Sequence, residues 1–292
     1  MIQVYGISQV GKAHLRNNTV CQDSYFFSVV NENICVAAVA DGLGSEKKSD
    51  IASNIASNTS VTYCISHLSE DLSKDVVLHI IKCSFEQALS DIQERVKESN
   101  DDIFQYDTTL SLAVLISGHL YYGHSGDSGI IALADDGKFY QITEQQRDDE
   151  GRVYPLCFGS DYWVFNEFNK KTAGVLLATD GILELFYPIY LRSSEEYIYT
   201  SLANYFINIR AFCEKDFDFD IYKQSRYDYL SDISENIVDD DKTIIGIIDS
   251  SVFVDWQNDE YYKEPNWFEL MEKYRREYKK KAYLEVKDEK SE

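Results

Sequence analysis

Three segments of this 292-residue chain place a carboxylate at the end or the head of an apolar run. "CVAAVADGLGS" runs through small and β-branched residues to Asp41, "GVLLATDG" runs likewise to Asp180, and "VDDDKTII" sets Asp240 before a third run. Gly42 and Gly181 follow the first two acids at once. An Asp-Gly pair is an ordinary turn dipeptide, yet two such pairs and a third acid in the same relation to a buried strand point to convergence by folding. Converging carboxylates repel one another, and a divalent cation with hard oxygen preferences, Mg²⁺ or Mn²⁺, relieves that repulsion. A glycine at the exit lets its own carbonyl turn inward and lets a metal or phosphate approach the backbone.

Strands must hold these acids in place. Ile2–Ser8, Tyr25–Val30 and Ile34–Ala40 alternate or run apolar like strands, with the turn "NEN" between the last two. From Ser49 the period becomes helical: Ile51, Ile55, Val61, Ile65 and Leu68 lie on one stripe, with Ser49 or Asp50 as the cap. A second helix is expected over 74–98, carrying Val77, Ile80, Ile81, Phe85, Leu89, Ile92 and Val96. Strand signals return in "TTLSLAVLIS", "HLYYGHSG", "GIIALA" and "FYQI". Residues 143–172 carry few periodic signals and read as an irregular excursion. Helices are expected over 193–213 and 221–236, and "KTIIGIID" closes as a strand. Antiparallel runs with helical pairs between them imply an α+β fold, a four-layer α-β-β-α sandwich of two antiparallel sheets flanked by helices. One domain spans 1–254, and a charged helical tail spans 255–292, where Tyr, Lys and Glu dominate.

Composition narrows the partners. The formal charge is −22, which repels phosphate backbones and disfavours nucleic acid while suiting a bound cation. Most of the 22 tyrosines occur singly in strands or near acidic residues, as packing residues do, and with the net charge this argues against a stacking surface for nucleic acid. Six cysteines stand without a CxxC pair, as reduced thiols do in a cytoplasmic protein. No segment approaches the ~20 apolar residues that span a bilayer, and no membrane partner is expected.

The ordered set "GKAHLRNNTVCQDS", "AVADGLGSEKKSDIAS", "DTTLSLAVL", "GHSGDSGIIAL", "LLATDGILELF" and "DDDKTIIGII", from about Gly6 to Ile248, resembles the metal-dependent serine/threonine protein phosphatases of type 2C. It is most similar to their bacterial branch, with a His before a Gln-Asp pair. The resemblance implies hydrolysis of phosphoserine and phosphothreonine on proteins by a water activated between two divalent cations. It makes Asp41 the bridging ligand and gives the Gly42 carbonyl, Asp180 and Asp240 to the cations, with Asp241 as the fallback because the "DDD" run leaves the register open. Gln22 and Asp23 match the pair that orients bound water, Asp127 and Glu184 match a weaker third cation site, and His14 is assigned to positioning the Gln-Asp loop.

Three positions depart from the pattern. Asn18 stands where many members carry a phosphate-gripping Arg, leaving the nearby Arg16 as the candidate for substrate phosphate. Leu43 stands where some carry a general-acid His, and Gln22 replaces a Glu. These departures keep two rivals open: a regulatory or interaction protein with weak activity on the same fold, and a phosphatase of a small phosphorylated metabolite. His119 and His124 lie in strands without convergent partners and read as structural. Arg275, Arg276, Lys279, Lys280 and Lys281 on the tail fit either a helix C-terminus favouring cations or a docking face for an acidic partner.

Overall fold

The computed structural model describes residues 1–191 and 197–288, with the side chains of 213 and 281–288 outside that description. Strand β1 (Ile2–Gln9) is followed by a short helix α1 (Lys12–Asn17), then by the hairpin β2 (Ser24–Val29) and β3 (Ile34–Ala40). The Asn31 side chain makes that turn, its Oδ1 accepting from the backbone of Asn33 (2.8 Å) and Ile34 (2.9 Å). Helices α2 (Ser49–His67) and α3 (Lys74–Ser99) come next. The buried face of α2 is built from Ala52, Ser53, Ala56, Ser57 and Ser60, small enough to bring the helix close to β2 and β3. The N-cap is Lys48, without a side-chain bond, so neither expected cap operates there. Asn100 ends α3 in the left-handed conformation, φ 54°.

The second run comprises β4 (Leu110–Ile116), β5 (His119–Ser125), β6 (Gly129–Ala134), β7 (Phe139–Gln141) and β8 (Val164–Ala178). Helices α4 (Asp180–Phe186), α5 (Thr200–Phe206) and α6 (Phe219–Asp232) precede β9 (Lys242–Asp249), and α7 (Trp267–Asp288) forms the tail. The fold is mixed α+β: a nine-stranded antiparallel sheet with flanking helices, in the order β1-β9-β8-β5-β4-β3-β2, with β6 on β8 and β7 on β6.

Two expectations need correction. Residues 164–172 are not irregular: they are the first half of the 15-residue strand β8. Its early part pairs with β5 and its later part with β6 and β9. A register shift opposite His119–Tyr121 interrupts its alternation, which hid the strand. The helix expected over 193–213 is shorter. Asn208 caps a separate 3-10 turn over Ile209–Cys213 by accepting from Ala211, and residues 192–196 lie outside the described ones. Likewise α6 starts at Phe219 because Asp218 accepts from the backbone of Asp220 and Ile221.

Alternate residues of β3 serve two apolar clusters. Ile34, Val36 and Ala38 pack with α2 and α3, while Cys35, Ala37 and Val39 meet Val175, Leu177, Ile245 and Ile247. A third cluster joins Tyr5, Leu176 and Ile244 to α4, α5 and α6. The tail does not start free of this body. Phe139 donates its backbone N–H to Tyr261 (2.9 Å), Tyr262 donates to the Gly137 carbonyl (2.6 Å), and Arg210 lies over the Trp256 ring.

Candidate metal centre

Strand register brings the three acidic segments to one edge. Ala178 at the end of β8 pairs with Ile244 near the start of β9 and with Gly129 at the start of β6. Gln9 at the end of β1 pairs with Lys242, which carries Gly11 across the backbone of Asp240. The end of β3 is fastened to β4: Thr109 donates its backbone N–H to the Asp41 carbonyl (2.8 Å), and the Asp41 N–H donates to the Thr109 hydroxyl oxygen (2.9 Å).

The result is a cluster in which carboxylate oxygens of Asp41, Asp127 and Asp180 lie within 4.8 Å of one another. Burial pushes Asp41 well above the ordinary carboxylate range, and the charges of Asp23, Asp180, Asp127 and Asp240 push the same way. Asp127, only 2% exposed, is pushed up to about 7 by burial and by Asp180. Burial and the charge of Asp241 likewise raise Asp23, whose Oδ2 accepts from the Thr179 hydroxyl (2.8 Å). Hard oxygen donors that resist ionising together are what a divalent cation stabilises, so the donor set fits Mg²⁺ or Mn²⁺. Sequence reading assigns Asp127 only to a third cation, and the fold sets it in one cluster with Asp41 and Asp180.

The neighbouring acids divide. Asp241 is buried, its Oδ1 accepting from the Gly11 N–H and its Oδ2 from the Gln22 N–H, both at 2.6 Å. His14 Nδ1 lies 2.9 Å from Oδ1, at ion-pair distance without hydrogen-bond alignment. Asp240 is exposed; its carboxyl is raised by burial of its inner side and by the charges of Asp180 and Asp241. Thus Asp240 faces the cluster electrostatically while Asp241 fastens three segments together. The Gln22 amide donates to the Glu46 carbonyl (2.9 Å) and the Ser49 hydroxyl (2.7 Å), tying its loop to the start of α2. Its Oε1 is buried without a partner among the described residues.

Gly42 has a steric reason rather than a conformational one. A Cβ there would stand 2.7 Å from the carbonyl oxygens of Gln22 and Ser49, so only glycine lets these backbones cross. Asn18 also has a local reason: it ends α1 in the left-handed region, φ 53°, where Asn is tolerated and Arg is strained. Arg16 pairs with Glu235 (3.2 Å) and Asp239 (3.5 Å) on the surface just before Asp240. His124 is buried between Ser111 and the Glu144 carbonyl, both at 2.9 Å, and burial pushes it down to about 4, so it is neutral.

One residue escaped sequence reading. Arg147, in the segment after β7, reaches Asp127 (2.7 Å), Asp180 (3.0 Å) and Glu184 (4.0 Å) through Nη2. No motif marks it, because an Arg in an irregular stretch has no periodic context.

The profile of the family described as "Protein phosphatase 2C" matches residues 10–214. No curated protein sequence matches the chain. Among solved structures, it is similar to a bacterial serine phosphatase (TM-score 0.56, 14% identity, covering 85% of this chain and 98% of that one). Stp1, a serine/threonine phosphatase from Staphylococcus aureus, superposes with TM-score 0.56 at 13% identity, covering 85% and 95%. The serine/threonine phosphatase PstP/Ppp of Mycobacterium tuberculosis gives 0.55 at 18%, covering 85% and 98%. These likenesses concern the fold. With the family profile matching more than half of its length, the chain belongs to the protein phosphatase 2C family.

Proposed function

We propose that this chain is a divalent-cation-dependent phosphatase that hydrolyses phosphoserine and phosphothreonine on proteins. The observation that carries the proposal is the approach of Asp41, Asp127 and Asp180, from separate strand ends, to within 4.8 Å. Asp41, the Gly42 carbonyl, Asp180 and Asp240 would hold two cations, Mg²⁺ or Mn²⁺, and Asp127 with Glu184 a third. Asp241 remains the fallback for Asp240. Cations bound there supply Lewis acidity that activates water and neutralises phosphoryl charge. The chain's own part is to orient and exclude. Asp23, held by Thr179, would orient water in the centre; Gln22 fixes the loop carrying it; and His14 acts through Asp241.

The rest of the reading belongs with it. The three apolar clusters support a four-layer α-β-β-α arrangement of two sheets. The phosphatase unit spans 1–254 and the tail 255–292, with the cationic stretch of α7 as a docking face and the cytoplasm as the location. Arg16 grips substrate phosphate only by leaving Glu235 and Asp239. That pairing, with Asn18 capping α1, favours a second reading: a regulatory protein of the same fold with little turnover.

Turnover of p-nitrophenyl phosphate and of phosphothreonine and phosphotyrosine peptides, with Mn²⁺, Mg²⁺ or EDTA, separates the two. Hydrolysis of the phosphothreonine peptide that EDTA abolishes is expected. No hydrolysis with any metal selects the regulatory reading.

A further inference from the structure

The residues between β7 and β8 are tied down along the β5-β6 turn. Gln146 donates its N–H to the Gly126 carbonyl and its Oε1 accepts from the Gly126 N–H, both at 2.8 Å. Gln145 donates to the Asp127 carbonyl (3.0 Å). The next residue is Arg147, which bridges antiparallel to Val153 and so opens a small turn that exposes Arg152. The Arg147 side chain, one-third exposed, leaves this turn and places Nη2 against Asp127 Oδ2, Asp180 Oδ2 and Glu184 Oε1.

We infer that Arg147 is an internal cation that competes with a divalent ion for the oxygens of Asp127, Asp180 and Glu184, coupling ion entry to release of the 147–153 turn. The inference rests on the cation-dependent reading above. A divalent ion takes carboxylate oxygens at about 2.1 Å and repels a guanidinium held by the same atoms. Both cannot be seated at once. When the ion binds, Arg147 must leave, and the anchor that the side chain provides for the turn is lost. The hydrogen bonds of Gln145 and Gln146 stay, and the turn keeps its own, from the Asp148 N–H to the Arg152 carbonyl (2.9 Å) and from the Tyr154 N–H to the Gln146 carbonyl (3.1 Å), so release is a swing of the closed turn away from the acids. Coupling between two equilibria is reciprocal: whatever Arg147 subtracts from ion affinity, the ion subtracts from the closure of the turn.

The test uses the full chain and two readouts that need no turnover. Calorimetric titration with Mn²⁺ should show the weakest ion binding roughly 10-fold tighter in Arg147→Ala than in wild type, the scale of a typical coupling. Arg147→Lys keeps the charge without the planar fork and should fall between them. Limited trypsin digestion, followed at Arg152, should speed up roughly 10-fold on adding Mn²⁺ to wild type, by the same coupling. In Arg147→Ala it should be fast from the start and insensitive to Mn²⁺. Superimposable isotherms and unchanged cleavage in both variants overturn the inference and leave the metal reading standing. Wild type that binds no Mn²⁺ overturns both.

Discussion

Asp241 Oδ2 accepts the backbone N–H of Gln22 at 2.6 Å, joining two segments separated by most of the chain. Its other oxygen takes Gly11, so this carboxylate is spent on the fold, whereas the adjacent Asp240 is exposed beside the acidic cluster. An Asn side chain cannot accept on both sides. Asp241→Asn should therefore lower unfolding free energy by about 2–3 kcal/mol, the scale of losing a charged acceptor from a buried donor. Asp240→Asn should leave denaturant midpoints near wild type and lower Mn²⁺-dependent turnover. Reversed behaviour in the two variants would exchange their roles.

Asp180→Asn keeps shape and removes one charge from the cluster. We expect it to fold, to lose at least ~100-fold in turnover, by the scale of lost charge stabilisation in a transition state, and to gain less melting temperature from Mn²⁺ than wild type. Glu184→Ala, altering a group 68% exposed, should cost less. Full Mn²⁺-dependent activity in Asp180→Asn would remove the cation reading.

Proton linkage gives a pH prediction. Asp127 moves from an ordinary 3.8 to about 7, and Asp41 and Asp23 also move upward. A carboxyl raised on folding binds its proton more tightly in the folded chain. Its contribution to stability is complete below the ordinary value and is lost as pH rises through the raised one. With EDTA present, the melting temperature should fall as pH rises from about 4 to about 7, and saturating Mn²⁺ should raise it more at the upper end. Equal Mn²⁺ shifts at both ends would contradict the linkage.

The tail offers a dissection. Removing α7 by ending the chain at Asn266 should leave melting temperature and small-substrate turnover close to wild type. Ending it at Asp255 also removes Trp256, Tyr261 and Tyr262, which pack on the cluster under α5, and should lower melting temperature measurably. Differential scanning calorimetry of both truncations reads this directly. Identical profiles would show that these aromatics add nothing to the core.

Much of this was legible in the sequence where burial was two-sided. Ile34–Ala40 and Lys242–Asp249 appear with the expected bounds because continuous apolar runs leave one interpretation. The acids at their ends were visible for the same reason. Helix α1 escaped because its six residues bury none of their number and leave no periodic trace. The first half of β8 escaped because Phe165 and Phe168, out of step for a regular strand, reach separate partners: Phe85 at 5.1 Å and Tyr140 at 5.3 Å. Arg147 was invisible because its partners come from the β5-β6 turn and α4, a juxtaposition only the folded chain creates.

Strand β9, last in sequence, lies between β1, the first, and β8. The N-terminal strand thus waits for the C-terminal one to find its place in the sheet. During synthesis, residues 24–40 can form their hairpin early, but β1 and the segment carrying Asp240 and Asp241 take their places only after residues up to 249 have emerged and threaded between their neighbours. Pairings between such distant segments form slowly because the chain between them must first be ordered. The centre is therefore finished last: a chain arrested before β9 lacks Asp240 and the Asp241 carboxylate that holds Gly11 and Gln22.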